Sequence, residues 1–317
     1  MDVLQYAPVS FAAMISRLEN KYDHMILRAE DKAINWYPGH MARAKRKLED
    51  QLSRVDVVVE LCDARIPRAS RNPDLNQLLR NKKRLLILNK ADLAEEAATR
   101  AWLAHFRAQG MDCMSFDSAK GRAKDVISRI EKAASEAVAR MAAKGVKKTV
   151  RVMIVGVPNV GKSTFTNKVN GASIAKTGDR PGVTRNNQWV KITPYLELLD
   201  TPGLLWPRLD DQNDARALAF VGTINDQITD QQMLAVRLLE MLMEIKPDAA
   251  IQRFKLKDAS LRGVALLEEA CRGRGWLMPG GVMDTDRGAA VILDEFRGGK
   301  LGRISLETVE DIRRDYR

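Results

Sequence analysis

Cysteine, histidine and aromatic residues are all scarce in this sequence. The three cysteines, Cys62, Cys113 and Cys271, lie far apart, and neither CxxC spacing nor a Cys/His pattern occurs. This distribution argues against a structural zinc site and a disulfide framework, and it is typical of a protein from a reducing cytoplasm. A chain of 317 residues can bury a substantial core without either kind of cross-link.

Long apolar runs are missing as well. No stretch reaches the roughly 18 uncharged apolar residues that predict a membrane-spanning helix. Residues 1–30 contain Asp2, Glu19, Asp23 and Glu30 and lack an apolar core, so they resemble neither a secretory signal nor a mitochondrial presequence. We therefore predict a cytoplasmic protein with no membrane partner.

Basic residues, by contrast, are in excess. The chain has 52 lysines and arginines against 41 aspartates and glutamates, a formal charge of +11, which favours a polyanionic partner. No RNA-binding signature motif occurs, so we expect contacts with an RNA backbone rather than base readout or DNA recognition. The basic clusters are Arg43, Lys45, Arg46 and Lys47; Lys82, Lys83 and Arg84; Lys144, Lys147, Lys148 and Arg151; Arg253, Lys255 and Lys257; and Arg297, Lys300 and Arg303.

Apolar runs in the first two thirds of the chain alternate with helical patterns. We predict strands at 55–61, 84–88, 111–116, 150–155, 189–192 and 196–199, and helices at 41–53, 95–108 and 123–143. This alternation is typical of an α/β fold with a mostly parallel sheet and helices on both faces. Beyond about residue 210 the pattern becomes helical. We thus predict an N-terminal extension (1–33), an α/β domain (34–208) and an all-α domain (209–317).

The segment Gly156–Ser163 matches the phosphate-binding pattern GxxxxGK[ST], after the predicted strand 150–155 and before a helix predicted to start near Lys162. Glycines let successive N–H groups wrap phosphates, and the helix N-terminus adds positive potential. Lys162 would contact the β- and γ-phosphates, and Ser163 would bind Mg²⁺. The candidate phosphate-binding residues are Pro158, Asn159, Val160, Gly161, Lys162, Ser163 and Thr164.

A second phosphate motif, Asp200-Thr201-Pro202-Gly203, follows the last predicted strand. Asp200 would hold Mg²⁺ through water, and the N–H of Gly203 would contact the γ-phosphate. Thr184, in the polar segment between the two motifs, is our candidate for a further Mg²⁺ ligand, with Thr177 as the alternative.

Two motifs for guanine recognition precede the phosphate motifs. Asn89-Lys90-Ala91-Asp92 follows one strand, and Asp117-Ser118-Ala119-Lys120 follows the next. The Asp92 carboxylate can accept hydrogen bonds from guanine N1–H and its amine, which adenine cannot offer. Lys90 would cover the base, Asn89 would tie this loop to the phosphate loop, and the second motif would supply an N–H for guanine O6. In ordinary GTPases these motifs come last, so the order here predicts a circularly permuted GTPase domain.

From Ile34 onward the chain resembles the ribosome biogenesis GTPase A (RbgA/YlqF) family of permuted GTPases. The resemblance rests on the permuted order and on four segments: Asn35-Trp36-Tyr37-Pro38-Gly39-His40-Met41, Asp63-Ala64-Arg65-Ile66-Pro67, Ser70-Arg71-Asn72-Pro73 and Gly298-Gly299-Lys300-Leu301-Gly302-Arg303. It implies a GTPase that acts in late assembly of the large (50S) ribosomal subunit and binds ribosomal RNA through a helical C-terminal domain.

The glutamine that orients water in many GTPases is replaced by Leu204. The resemblance assigns this catalytic role to His40, whose neutral imidazole can hold a water; alternatively, His40 caps the following helix or packs on Trp36. Asn159 resembles an asparagine that lets related GTPases bind K⁺; alternatively, it braces its own loop.

Two functions remain open at this stage. The first is a monomeric GTPase with Mg²⁺ and K⁺ as cofactors, whose association with the large subunit depends on nucleotide and whose hydrolysis the ribosome stimulates. The second is an RNA-docking assembly protein that uses GTP as a structural ligand without relevant hydrolysis.

Overall fold

The computed structural model of the chain describes residues 49–174, 189–200, 212–224 and 229–310. These residues fall into two compact units, one within Trp36–Arg208 and one that contains Leu209–Arg317. The first unit has six strands: β1 (Val57–Asp63), β2 (Lys83–Asn89), β3 (Asp112–Ser115), β4 (Val150–Gly156), β5 (Trp189–Thr193) and β6 (Leu196–Asp200). Its helices are α1 (Pro73–Leu78), α2 (Glu96–Ala108), α3 (Ala123–Ala142) and α4 (Lys162–Ile174).

The six strands form one sheet in the order β3-β2-β1-β4-β6-β5. All neighbours pair in parallel except β5, which runs antiparallel to β6. The prediction of a mostly parallel sheet is confirmed, and each predicted strand lies within two residues of its observed ends. From β1 the chain builds outward to β2 and β3 on one side, and it later adds β4 and β6 on the other.

Burial explains why these segments form strands. Every residue of β1 is buried, which requires cover on both faces of the sheet and selects the near-continuous apolar run seen in its sequence. One face packs on a cluster comprising Leu52, Val55, Val58, Leu75, Leu79, Met153, Val155 and Leu199. Each large apolar side chain buried in this way contributes about 1.5–3 kcal/mol.

One charged side chain lies inside β1. Glu60 is only 1% exposed, and its carboxylate accepts hydrogen bonds from Arg84 Nε (2.8 Å) on β2 and from Arg71 Nε (3.4 Å) ahead of α1. Arg84 also donates to Asn76 Oδ1 (2.9 Å) on α1. These contacts pin β2 and the α1 segment to the central strand, since a buried carboxylate is tolerated only where it is paired.

The second unit is helical. Its helices are α5 (Gln212–Phe220), α6 (Gln231–Ile245), α7 (Pro247–Phe254), α8 (Gly263–Arg274) and α9 (Thr285–Arg297). Helix α6 lies in the region beyond residue 210 that was predicted to be helical, and it buries a leucine-rich stripe. Asp230 caps it by accepting from Met233 N (3.0 Å). Arg297 joins α9 to the end of α5 by donating to the carbonyls of Ala219 (2.8 Å) and Phe220 (3.0 Å). Among the described residues, no helix is long and apolar enough to cross a membrane.

The Glu60 contacts predict a stability effect. Replacing Glu60 with alanine should lower the free energy of unfolding by about 2–4 kcal/mol, because two partly buried arginines lose their counter-charge. Glu96→Ala is the matched control, since it removes an ion pair whose two side chains are both 68% exposed, and it should change stability by less than about 1 kcal/mol. Urea unfolding measures both; equal effects would contradict the structural role of Glu60.

Candidate functional site

The parallel strands bring the sequence motifs to one edge of the sheet. Asn89 ends β2, Gly156 ends β4 and Asp200 ends β6, while the Asp117–Lys120 segment follows β3. Within this sheet the direction in which strands are added reverses between β1 and β4. Ligands of open α/β sheets bind in the crevice outside the strand carboxyl ends at such a reversal. The motifs therefore surround the expected ligand crevice.

The phosphate loop lies between β4 and α4, as predicted. Two of its glycines are required by close approach. A Cβ on Gly156 would lie 2.6 Å from the Leu61 carbonyl oxygen of β1, and one on Gly161, whose φ is +99°, would lie 2.6 Å from Asn89 Nδ2. Strand β1 and the Asn89 side chain thus contact the backbone of the phosphate loop directly, and neither glycine position has room for a side chain.

The residues after Gly161 begin α4. Ser163 and Thr164 are exposed in its first turn, where free N–H groups and the helix dipole favour anions. Lys162 is buried, and its Nζ donates to the carbonyl oxygens of Val157 (2.8 Å) and Gly156 (3.2 Å). The lysine charge is therefore held over the phosphate loop by the backbone of that loop.

Asn89 connects three motifs. Its Nδ2 donates to the Val160 carbonyl (2.9 Å), and its Oδ1 accepts from Ser118 Oγ (2.6 Å). Both side chains are buried, at 1% and 7% exposure. The predicted link between Asn89 and the phosphate loop is confirmed, and the same side chain also holds the second guanine motif in place.

Lys90 makes a second bridge. Its Nζ donates to the Asn159 carbonyl (2.8 Å) and lies 3.1 Å from Asp63 Oδ2. Lys90 and Asn159 both have φ near +57°, a conformation that non-glycine residues adopt only when their surroundings stabilise it. The two contacts fix the Lys90 side chain against the phosphate loop.

Asp117 shapes the second guanine motif. Its Oδ1 accepts from the N–H groups of Ala119 (2.7 Å) and Lys120 (3.1 Å), while Lys168 Nζ of α4 donates to the Ala119 carbonyl (2.9 Å). The N–H of Ala91 donates to the Phe116 carbonyl (3.3 Å), which joins the two guanine motifs. The segment predicted to supply an N–H group to guanine O6 thus has two of its N–H groups bonded to an acceptor within the loop.

Asp63 and Arg65 had no individual role predicted from the sequence. Asp63 ends β1 opposite Asn89 of β2, and both side chains are 1% exposed. Burial alone would raise the pKa of Asp63, but the charges of Arg65 and Lys90 outweigh it and hold that pKa well below its usual range. The position of Asp63 directly after a predicted strand, at the edge that carries the other motifs, was the available signal.

Two predicted Mg²⁺ ligands share this edge. Ser163 is the second residue of α4, and Asp200 ends β6, the strand paired with β4. A hydroxyl and a carboxylate are oxygen donors of the kind that Mg²⁺ takes in phosphate-binding sites, so these residue types fit the ion.

The predictions for His40, Thr177, Thr184, Gly203 and Leu204 concern positions outside the described residues, and they stay predictions.

The fold and the motif order define a P-loop GTPase whose motifs are circularly permuted. Residues 151–259 match the family model described as a 50S ribosome-binding GTPase. The chain is 42% identical to Ribosome biogenesis GTPase A of Bacillus cereus over 280 residues, which covers 88% of this chain and 95% of that one. It is 33% identical to the protein of the same name from Thermotoga maritima, over 88% and 96% of the two chains.

The comparison with solved structures agrees. A GNP-bound crystal structure of YlqF from T. maritima superimposes with a TM-score of 0.62 at 29% identity, covering 85% of this chain and 99% of that one. The chain therefore belongs to the ribosome biogenesis GTPase A family, and it is a GTPase.

The contact between Gly161 and Asn89 predicts a stability difference. Gly161→Ala should lower the free energy of unfolding by about 2–4 kcal/mol. The new methyl group displaces the buried Asn89 side-chain amide, which makes two hydrogen bonds, and it adds backbone strain. Gly145→Ala is the control, since Gly145 also has a positive φ (+72°) but has no atom within 4 Å of its Cβ position. Chemical denaturation measures both, and similar losses would show that backbone strain alone is responsible.

Proposed function

We propose that the protein uses GTP hydrolysis in late assembly of the large (50S) ribosomal subunit. In this proposal it associates with the particle in its GTP-bound state, and the ribosome stimulates hydrolysis. The observation that carries the proposal is the meeting of the guanine and phosphate motifs through Asn89, because that side chain bonds both Val160 and Ser118. The names of the relatives supply the ribosomal context.

Guanine recognition is proposed for the loops after β2 and β3. Asp92 accepts from guanine N1–H and the exocyclic amine, and Lys90 lies over the base. Guanine O6 accepts a hydrogen bond from a backbone N–H of the Ser118–Lys120 segment. It either replaces the Asp117 carboxylate as the acceptor of that N–H or shares the N–H with it. Because Asp117 orients the N–H groups before the base arrives, little reorganisation of this loop is needed on binding.

Phosphate binding is proposed for the loop before α4. Lys162 turns from the Gly156 and Val157 carbonyls toward the β- and γ-phosphates, and Ser163, Thr184 and Asp200 hold Mg²⁺. When bound, Mg²⁺ neutralises charge on the phosphate oxygens. Asn159, exposed in the same loop, is the proposed K⁺ ligand, and the N–H of Gly203 meets the γ-phosphate.

Catalysis needs a group to orient water, since Leu204 cannot. We assign this to His40, whose neutral imidazole can accept a proton near pH 7. A positioning group of this kind has to be placed accurately, and we infer that the ribosomal particle places it.

We propose that the protein acts as a monomer in the cytoplasm and that it contacts the ribosomal particle through the RNA backbone. Several residues of the predicted basic clusters are paired within the protein: Arg84 with Glu60, Lys148 with Asp56, and Arg253 with Glu295. These charges are largely neutralised. Exposed members such as Lys144 and Lys147 are better placed to meet phosphates, with the salt dependence expected of such contacts.

The guanine assignment predicts a change of nucleotide preference. Asp92→Asn should shift the preference from GTP toward XTP by roughly 100-fold or more, because the new amide can donate to the C2 carbonyl of xanthine. Competition between the two nucleotides for the site measures the shift. Asp125→Asn removes an exposed carboxylate on α3 that is ion-paired with Arg122, the residue before that helix, and it should leave the preference unchanged. An Asp92 variant that still prefers GTP would contradict the assignment.

The functional proposal predicts ribosome-dependent turnover. In K⁺ buffer, GTP turnover should rise by at least about tenfold with purified large subunits and not with small subunits, since the particle completes the site. His40→Ala should lose most of this rise while keeping its affinity for GTP. Lys162→Ala, which removes the phosphate contact, serves as the nucleotide-site control.

Two results would contradict parts of this proposal. A flat rate with large subunits would favour a protein that uses GTP as a structural ligand only. Equal stimulated rates in the parent and the His40 variant would make His40 a structural residue.

A further inference from the structure

Asp63 lies at the seam between the two nucleotide-binding halves of the sheet. It ends β1, which pairs with β2 on one side and with β4 on the other. On the β2 side it faces Asn89, the first residue of the guanine motif. On the β4 side, pairing ends with Leu61 opposite Gly156, the first residue of the phosphate loop. Its carboxylate therefore lies between the two loops that are proposed to contact the nucleotide.

Arg65 fixes the orientation of this carboxylate. Its Nε lies 2.9 Å from Asp63 Oδ1, and its Nη2 lies 2.8 Å from Oδ2, a two-point contact with both groups buried. The N–H of Arg65 also donates to Oδ1 (3.1 Å), and the N–H of Asp63 donates to Ser70 Oγ (3.0 Å). Fork-to-fork pairs of this kind restrict direction as well as supplying energy.

A purely structural ion pair would be complete with Arg65 alone, because that guanidinium neutralises the carboxylate and binds both of its oxygens. The structure adds a second cation. Lys90 Nζ lies 3.1 Å from Oδ2, with its side chain 24% exposed at the edge of the site. The same Nζ donates to the Asn159 carbonyl at 2.8 Å. Asp63 thus reaches the phosphate loop through a single lysine.

We propose that Asp63, aimed by Arg65, is a positioning residue that sets the Lys90 ammonium between the guanine loop and the phosphate loop. This inference rests on the proposed nucleotide site. Its consequence is that the two loops are held in register before nucleotide arrives, since Lys90 and Asn159 occupy a backbone conformation that needs external support. Without Asp63, Lys90 keeps one anchor instead of two, and nucleotide binding has to supply the ordering.

A double-mutant cycle on nucleotide affinity tests the proposal. The probe is the fluorescent nucleotide mant-GDP, titrated into the full-length chain and the variants Asp63→Asn, Lys90→Met and the two combined. Each single change should weaken binding about tenfold, the size expected for one charge-assisted hydrogen bond. The combined variant should be no weaker than Lys90→Met, because Asp63 acts through Lys90.

A structural role for Asp63 predicts a different result. The two losses would then multiply in the combined variant, and that outcome, or unchanged affinity in Asp63→Asn, would overturn the proposal. Asp112→Asn is the matched control, because it breaks another aspartate–arginine pair, with Arg129, at the opposite end of a strand of the same sheet. Its affinity for mant-GDP should equal that of the parent.

Folding has to be separated from binding, since Asp63→Asn removes a buried charge that pairs with the buried Arg65 guanidinium. Thermal melting without nucleotide identifies a variant that does not fold. In that case Asp63→Asn/Arg65→Met replaces the pair with charge balance kept, an exchange that proteins often tolerate, and it should show the same tenfold loss. Failure of both variants to fold would overturn the proposal, because Asp63 would then serve the fold itself.

The same titration separates this inference from the proposed site. Lys162→Ala and Asp92→Asn should each weaken mant-GDP binding strongly. If they do so while the Asp63 variants bind normally, only the positioning role fails. If they also bind normally, the proposed nucleotide site itself is wrong.

Discussion

The pairing of β1 with β4 is the contact on which the rest of the GTPase unit depends. It joins Val57 to Val152 at one end and Leu61 to Gly156 at the other. On one side of this seam lie β1, β2 and β3, which carry the guanine motifs; on the other lie β4, β6 and β5, which carry the phosphate motifs. Neither half holds a complete set. The nucleotide site exists only because two parallel strands, distant in sequence, share one register.

Polar side chains reinforce the seam at its carboxyl edge. Asn89 crosses it to reach Val160, and Lys90 crosses it to reach Asn159. Each such hydrogen bond contributes only about 1 kcal/mol to stability, but leaving a buried donor unpaired costs more than the bond provides. The network therefore tolerates little displacement of one half against the other, which suits a site that has to fix a base and a triphosphate at the same time.

Much of this arrangement could be predicted from the sequence. The strands follow from buried apolar runs, and the glycines and Lys162 follow from what a phosphate demands of a backbone. The contact from Asn89 to the phosphate loop was predicted because the two motifs had to meet in any GTPase, whatever their order in the chain. These are local patterns, or constraints that the ligand imposes.

The remaining features depend on partners that only the fold brings together. Glu60 is a charged residue within an apolar run, and the sequence around it does not indicate that Arg71 and Arg84 are its partners. Asp63 and Lys90 are likewise joined only by the pairing of β1 with β2. The basic clusters were predicted to contact RNA backbone, whereas Arg84 and Arg253 are paired inside the protein. Composition records how many charges a chain carries but not which of them the fold neutralises.

The division of the sheet into two sequential halves has a consequence for how the protein is made. The half with the guanine motifs leaves the ribosome first, and 71 further residues must be synthesised after Asn89 before its partner Val160 is made. At translation rates of about 5–20 residues per second, that is a delay of roughly 4–14 s. During this interval no phosphate loop exists, so nucleotide cannot stabilise the nascent chain, and the contacts between Glu60 and Arg84 lie entirely within the finished half. Of the later strands, β4 then pairs with the free edge of β1, and β6 adds to β4 with β5 at the outer edge. The pairs among β1, β2 and β3 can therefore stay closed while the second half of the sheet is added.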